Sequence, residues 1–163
     1  EFRRVLFRSR IAIADFDVHH GNGTDFIARR HEGIFFASTH QYPLYPGTGR
    51  AEDDINGRII NRPLSAESGG TEFRSAWTEI LKYMDDFKPE LVLISAGFDG
   101  HRDDPLAGLN LTEDDFGWIT AELAKIAARH AKGRVVSTLE GGYDLEALKR
   151  SVQAHLTALS SIM

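Results

Sequence analysis

The sequence predicts an α/β domain of three layers, α/β/α, in which a mainly parallel sheet lies between helices. Short apolar segments of strand length alternate along the chain with longer segments whose apolar residues recur at helical spacing. The strand segments are apolar at nearly every position, as strands are when both faces of a parallel sheet are covered. In such sheets ligands bind at the carboxyl ends of the strands.

The predicted strands are short, apolar and bounded by polar loops. They comprise residues 10–16, 33–40, 55–64, 90–96 and 134–139. We expect the last of these, RVVSTL, to be buried like the others. Residues 41–54 are rich in proline, glycine and acidic side chains and are predicted to form a loop. A second long polar loop should follow the strand at 90–96.

Four segments are predicted to be helical. They comprise residues 25–30, residues 71–87, a helix that begins at Thr112, and residues 144–159. Thr112 and Asp115 have the spacing of a capping box, which marks the start of the third helix. Histidines on helix or loop positions away from the strand ends should face solvent: His31, His130 and His155.

Composition excludes several classes of protein. The 163 residues suffice for one domain with a sizeable core. A net charge of −5 argues against direct binding of nucleic acid, and the longest apolar runs are too short to cross a membrane. The chain has no cysteine, so any metal must be held by His, Asp or Glu. The lack of disulfides suits a reducing compartment, and we expect a cytoplasmic location.

The first nine residues, EFRRVLFRS, differ from the rest of the chain. They back-translate without a mismatch to GAGTTCAGACGTGTGCTCTTCCGATCT, which resembles a common sequencing adapter. We therefore predict that residues 1–9 are a translated adapter joined to a truncated gene, and that the native chain begins well upstream of Arg10. The alternative is a genuine basic loop or strand.

Potential metal ligands follow the first predicted strand. Alternate side chains of an extended chain share a face, so Asp15, Asp17 and His19 should point the same way. Two carboxylates and an imidazole suit a divalent metal. The alternative is a strand whose aspartates only cap the turn that follows.

Two further strand ends carry polar residues. Asp99 follows the strand at 90–96, and Tyr143 follows the strand at 134–139 after two glycines, Gly141 and Gly142. Alone, Asp99 reads as a turn residue, and Tyr143 as either a core residue or a hydroxyl aimed at a reaction centre. The glycines allow the last loop to approach a ligand closely and to move.

Four motifs make a family resemblance specific. DFDVHHGNGT, HQYPLYPGTG, SAGFDGHRDDPLAG and LEGGYDLEAL resemble, in order and spacing, the signatures of the histone deacetylase superfamily. The resemblance covers residues 10–163 and is closer to the bacterial and class II branch. It implies the arginase/deacetylase-like fold and zinc-dependent removal of acyl groups from lysine side chains.

The resemblance also implies roles for individual residues. Asp17, His19 and Asp99 correspond to the zinc ligands, although Fe²⁺ or Co²⁺ also suits such a set. Tyr143 corresponds to the hydrogen-bond donor that stabilises the transition state. The structural potassium ion of the family is matched by Asp15, which also supports the catalytic histidines, and by Ser38. The acyl-lysine tunnel is matched by Tyr45, Leu106, Gly141 and Gly142.

The family's general base is a pair of histidines upstream of the first strand, and residues 1–14 contain no such pair. The resemblance thus implies a C-terminal part of the domain that is inactive by itself, with residues 10–16 left as an unpaired edge strand. The expected partners are acetylated lysine peptides or proteins. The alternatives are an acetylpolyamine or acetoin-utilisation-type deacetylase, an arginase-type ureohydrolase, which would need a D-x-H-x-D strand, and an inert fragment.

Overall fold

The computed structural model describes residues 9–161, so the predicted adapter segment lies, except for Ser9, outside the described residues. Five parallel strands form one sheet in the order β3-β2-β1-β4-β5. The strands are β1 Ile11–Asp15, β2 Ile34–Gln41, β3 Ile59–Leu64, β4 Leu91–Ala96 and β5 Val135–Leu139. The helices are α1 Asn22–Ala28, α2 Gly70–Phe87, α3 Glu113–His130 and α4 Leu145–Ser160. The predicted fold class is confirmed.

Strand β1 lies at the centre of the sheet. Ile13 pairs with Phe36 of β2 on one side and with Leu93 of β4 on the other. The expectation that this segment would be an unpaired edge strand was therefore wrong. That expectation assumed that strands from an upstream segment would lie beside β1. In the sheet, β2 and β4, which both follow β1 in the sequence, lie on either side of it.

One face of the sheet, called here the covered face, packs against α2, α3 and α4. Its core contains the rings of Phe16, Phe98 and Phe116, with Phe98 and Phe116 5.1 Å apart between ring centroids. Trp77 of α2 is also fully buried, and its indole N–H donates to Thr39 Oγ1 at 3.0 Å.

The opposite face, called here the open face, is covered only at one end. Ala28 of α1 packs there against Phe36 and Ile59. At the other end Val136 of β5 is 54% exposed. The expectation of a buried strand at 134–139 was wrong for the described chain, because no described element covers this end of the open face, whereas Ile59 of β3, the other edge strand, is buried under α1.

His155 of α4 was expected to face solvent, but it is buried in the core of the covered face. Thr120 Oγ1 lies 2.7 Å from its Nδ1, and Ser137 Oγ lies 2.9 Å from its Nε2. The Thr120 hydroxyl already donates to the Phe116 carbonyl, so it accepts from Nδ1–H, and Nε2 accepts from Ser137. Both ring nitrogens are satisfied, which allows a neutral imidazole to be buried.

Arg58 connects the turn before β3 to the start of the sheet. Its Nη1 donates to the carbonyl oxygens of Ala28 and Ile34, each at 2.7 Å, and to that of His31 at 3.2 Å. A single guanidinium group thus neutralises three convergent carbonyl dipoles. It fixes the turn between α1 and β2 and so supports the end of the open face that α1 covers.

Candidate metal centre

The chain turns sharply after β1 through two successive side-chain to backbone hydrogen bonds. Asp15 Oδ1 accepts from the backbone N–H of Asp17 at 3.1 Å, and Asp17 Oδ1 accepts from the N–H of His19 at 2.8 Å. Phe16 and Val18, between them, are buried in the core. Alternation therefore directs Asp15, Asp17 and His19 away from the core, as the sequence predicted.

Asp99 reaches the same place from the end of β4. The side chain is fully buried, and its Oδ1 accepts from the backbone N–H of Val18 at 3.0 Å. Its Oδ2 has no hydrogen-bond partner among residues 9–161 and lies 3.3 Å from His19 Nδ1. A buried carboxylate oxygen without a donor is costly unless a cation is present.

The three side chains form the one group of potential metal ligands found within the described residues. One ligand atom each from Asp17, His19 and Asp99 lies within 4.8 Å of the others. His19 Nδ1 is 3.1 Å from Asp17 Oδ1. Small rotamer shifts would bring such atoms to the roughly 2.0–2.2 Å that nitrogen and oxygen ligands keep from zinc.

The electrostatics of this site also call for a cation. Burial and the neighbouring charge of Asp17 raise the pKa of Asp99 to about 6. Burial, reinforced by the charge of Asp17, raises the pKa of Asp15 well above its ordinary value. A divalent ion bound between Asp17 and Asp99 would hold both carboxylates ionised. Two oxygens and one imidazole nitrogen suit Zn²⁺, Fe²⁺ or Co²⁺.

The loop after β5 closes over the ligand carboxylates. The backbone N–H of Gly141 donates to Asp17 Oδ2 at 2.9 Å. A Cβ at Gly141 would overlap the carboxylates of both Asp99 and Asp17, so only glycine permits this approach. Gly142 has a φ of 141°, which side-chain-bearing residues rarely adopt. The two glycines thus bring the backbone onto the site.

Tyr143 follows these glycines and is 55% exposed. Partial burial and the carboxylates of Asp99, Asp17 and Asp104 raise its pKa, so the hydroxyl remains a donor at neutral pH. Its backbone N–H donates to Asp104 Oδ2 at 2.8 Å. Nothing in the sequence points to Asp104, because a position in a long polar loop gives no signal of this contact.

A cavity of about 680 Å³ lies at this end of the sheet. Its lining includes predicted site residues Asp15, Asp17, His19, Tyr45, Gly141 and Tyr143. The Tyr45 ring lies 6.4 Å from that of His19 and is 80% exposed. Leu106, also predicted to line a tunnel, is 59% exposed and is not part of this lining.

Ser38 lies deep under the site. It neighbours Asp15 in the register of β1 and β2, and its Oγ is 2.9 Å from His40 Nδ1. His40 Nε2 must donate to the Gly49 carbonyl at 2.9 Å, so Nδ1 accepts from the Ser38 hydroxyl. Burial, and the nearby ring of His20, lower the pKa of His40 to about 4, consistent with this neutral form.

His20 and His101, the other two histidines near the strand ends, point away from the ligand set. His20 Nδ1 lies 2.8 Å from Thr48 Oγ1, and its Nε2 lies 3.3 Å from Asp25. His101 lies 3.1 Å from Glu113 at the start of α3. Both histidines are buried and hold loops around the site.

A family model described as the histone deacetylase domain matches residues 2–159. The chain belongs to the histone deacetylase family. This deacetylase-family chain is 43% identical to Type-2 histone deacetylase 2 of Dictyostelium discoideum over 93% of its own length and 10% of that protein. It is 45% identical to the chloroplastic histone deacetylase 10 of rice, Oryza sativa subsp. japonica, over 88% of its own length and 33% of that protein.

Two solved structures share its fold. The HDA15 HD domain superposes with a TM-score of 0.85 at 33% identity, covering 94% of this chain and 44% of that one. Acetylpolyamine aminohydrolase from Burkholderia pseudomallei gives 0.83 at 27% identity, covering 94% and 46%. The deacetylase-family chain thus spans less than half of each of these relatives. Within residues 9–161, no helix is long and apolar enough to cross a membrane.

Proposed function

We propose that this chain carries the metal site of a zinc-dependent deacetylase that removes acyl groups from lysine side chains. The observation that carries the proposal is the convergence of Asp17, His19 and Asp99, with a buried Asp99 oxygen that lacks a donor. Membership of a deacetylase family supports the reaction class. The site has no thiolate, so it discriminates weakly between Zn²⁺, Fe²⁺ and Co²⁺.

A bound zinc ion would supply a Lewis acid for the scissile carbonyl and lower the pKa of a water molecule. The residues of this chain hold the metal ligands in place and stabilise the oxyanion. The N–H groups of Gly141 and Val18 hold the carboxylates of Asp17 and Asp99 in place. The Tyr143 hydroxyl donates to the oxyanion that develops on the substrate carbonyl. Changing Tyr143 to Phe should lower kcat about 10²–10³-fold without changing metal content.

We further propose that residues 10–163 are the C-terminal part of a longer deacetylase domain, with residues 1–9 a translated adapter. The relatives are two or more times as long as the matched region. The open face supports this proposal, since Val136 is exposed, and Leu93 beside it and Ile13 on the next strand are only half-buried. The part of the longer domain that precedes residue 10 would supply the general base, a pair of histidines, and would cover the open face.

Asp15 and Ser38 are proposed to bind a structural potassium ion. The Ser38 hydroxyl donates its hydrogen bond to His40, which leaves the oxygen lone pairs for a cation. Asp15 is the neighbouring residue of the sheet on the same face. Its buried carboxylate would be ionised more readily with a cation beside it.

Leu106 favours acyl-lysine over polyamine substrates. A polyamine carries a distant ammonium group that needs a carboxylate, and an exposed leucine cannot pair with a cation. The alternative is a deacetylase of acetylpolyamines, favoured by the fold shared with an acetylpolyamine aminohydrolase and by the exposed carboxylate of Asp103. Comparing kcat/KM of the full-length gene product for an acetyl-lysine peptide and acetylspermidine separates the two; a large polyamine advantage would reject the first.

Metal binding can be tested on the chain itself. Titration with Co²⁺, followed by its visible absorption, should show one equivalent bound and displaced by Zn²⁺. Asp99→Asn should weaken binding by more than the roughly 10–100-fold that loss of an outer hydrogen-bond partner costs. Asp114→Asn, an exposed carboxylate in the first turn of α3, is the matched control. Equal affinity of Asp99→Asn and the unaltered chain would refute the site.

A further inference from the structure

Asp104 is a buried carboxylate that joins two loops of the site. It is 6% exposed although it lies in a polar loop. Oδ1 accepts from the N–H of Leu106 at 2.9 Å, and Oδ2 accepts from the N–H of Tyr143 at 2.8 Å. Backbone donors to an ionised carboxylate make stronger bonds than neutral pairs do. One side chain therefore connects the loop after β4 to the loop after β5.

The loop that carries Asp104 is held rigidly against two helices. His101 Nδ1 accepts from the N–H of Asp103 at 3.0 Å, so its Nε2 donates to Glu113 of α3 at 3.1 Å. Arg150 of α4 pairs with Asp103 at 2.8 Å and with Glu113 at 3.2 Å. The backbone N–H of Asp104 donates to the carbonyl of His101 at 2.9 Å. These contacts hold the loop that carries Asp104 in place against α3 and α4.

Tyr143, in contrast, has little else to hold it. Across residues 9–161 its hydroxyl makes no hydrogen bond, and the side chain is more than half exposed. It follows Gly142, whose φ of 141° is a conformation that residues with a side chain rarely adopt. Gly141 is hydrogen-bonded to Asp17 and Phe98, and the bond from the Tyr143 N–H to Asp104 fixes the backbone from which the ring extends.

We propose that Asp104 is a positioning residue for Tyr143, placing the phenol over the Asp17, His19 and Asp99 centre. The proposal rests on the proposed function, in which the Tyr143 hydroxyl stabilises the oxyanion. Asp104 touches none of the three ligands by hydrogen bond, so it acts on the tyrosine and not on the metal. Small displacements of a catalytic group lower the rate strongly, about 10²-fold for 1 Å.

The test is a double-mutant cycle in the full-length gene product, with acetyl-lysine peptide as substrate. Asp104→Asn replaces one accepting oxygen by an amide donor that faces an N–H. It should lower kcat about 10- to 100-fold, with KM and Co²⁺ affinity within about twofold of the unaltered protein. In a Tyr143→Phe background the same change should have no further effect on kcat. Asp114→Asn, an exposed carboxylate in the first turn of α3 and outside both loops, should change kcat less than about twofold.

The outcomes are distinct. Additive effects of Asp104→Asn and Tyr143→Phe, or an unchanged kcat for Asp104→Asn, would overturn the positioning role and leave the proposed function intact. Full activity of Tyr143→Phe would overturn the oxyanion role of Tyr143 together with the positioning role of Asp104. Circular dichroism checks that each variant folds. If Asp104→Asn does not fold, Asp104→Ser, whose hydroxyl still accepts one backbone bond, goes through the same cycle with the same expected and contrary results.

Discussion

The two faces of the sheet differ along rows of residues that cross it side by side. On the covered face the row Ile60, Ala37, Ala14 and Ile94 is buried, and its last member, Ser137 of β5, is half-buried. On the open face the parallel row of Ile59, Phe36, Ile13, Leu93 and Val136 changes from fully buried to 54% exposed. The sheet therefore packs into a buried core on its covered face and leaves part of its apolar surface exposed on its open face.

The next row of the open face is polar on every strand and ends just below the candidate metal site. It consists of Asn61, Ser38, Asp15, Ser95 and Thr138. Asn61 is fully buried, and neither its side-chain nitrogen nor its oxygen has a hydrogen-bond partner among the described residues. Stability is thus concentrated on the covered face, whereas the polar groups available for chemistry lie on the open face.

The largest expected effect concerns catalysis by residues 10–163 alone. If the open face needs a preceding part of the domain, this chain loaded with zinc should turn over an acetyl-lysine peptide at least about 10²–10⁴-fold more slowly than the full-length gene product, because general acid–base catalysis contributes that much. Parallel assays with equal metal content measure the ratio. Turnover within tenfold of the full-length gene product would mean that the general base is among the histidines of this chain. It would also mean that catalysis does not require a further segment to cover the open face.

The covered face should be the source of stability. Phe116 is fully buried, with the rings of Phe98 and Phe16 at 5.1 and 5.9 Å. Phe116→Ala should lower the free energy of unfolding by about 3–5 kcal/mol, measured by urea denaturation. A loss below about 1 kcal/mol would show that the packing of this face is loose and that the contrast between the faces is smaller than the burial indicates.

Much of this organisation could be predicted from the sequence. Strand and helix positions follow from apolar periodicity, and the convergence of Asp17, His19 and Asp99 follows from their places after parallel strands. Lateral order does not follow, because a local pattern does not say which strands become neighbours. For that reason residues 10–16 were expected to have an unpaired edge, although β1 is central. Residues 134–139 were expected to be buried, because an apolar run does not show which elements cover it. Asp104 was missed because its partners are backbone N–H groups, which leave no pattern in the sequence.

His155 offers a test of the covered face through pH. Burial lowers its pKa to about 4, so the folded chain binds this proton more weakly than the unfolded chain does. Its contribution is complete above the ordinary pKa of 6.5 and is lost as the pH falls from about 6.5 to about 4.

The expected loss from this one group is on the order of 2 kcal/mol. His155→Gln removes the titration, so the difference in unfolding free energy between the two proteins should vary with pH across that window. The buried His40, which is present in both proteins, cancels in the difference. A difference that stays constant from pH 7 to pH 4 would contradict a neutral, buried His155.

The smallest expected effect tests whether the open face is covered in a longer protein. Val136→Thr keeps the shape of the side chain and replaces a methyl group by a hydroxyl. In the 163-residue chain Val136 is more exposed than buried, so the free energy of unfolding should change by less than about 0.5 kcal/mol. In the full-length gene product the hydroxyl would be buried beside Leu93 without a partner, at a cost of about 1–3 kcal/mol.

Urea denaturation of both proteins measures the two values, and the Ile94→Val change on the covered face is the control, expected to cost the same in both. Equal and near-zero effects of Val136→Thr would mean that this end of the open face stays exposed even in the longer protein.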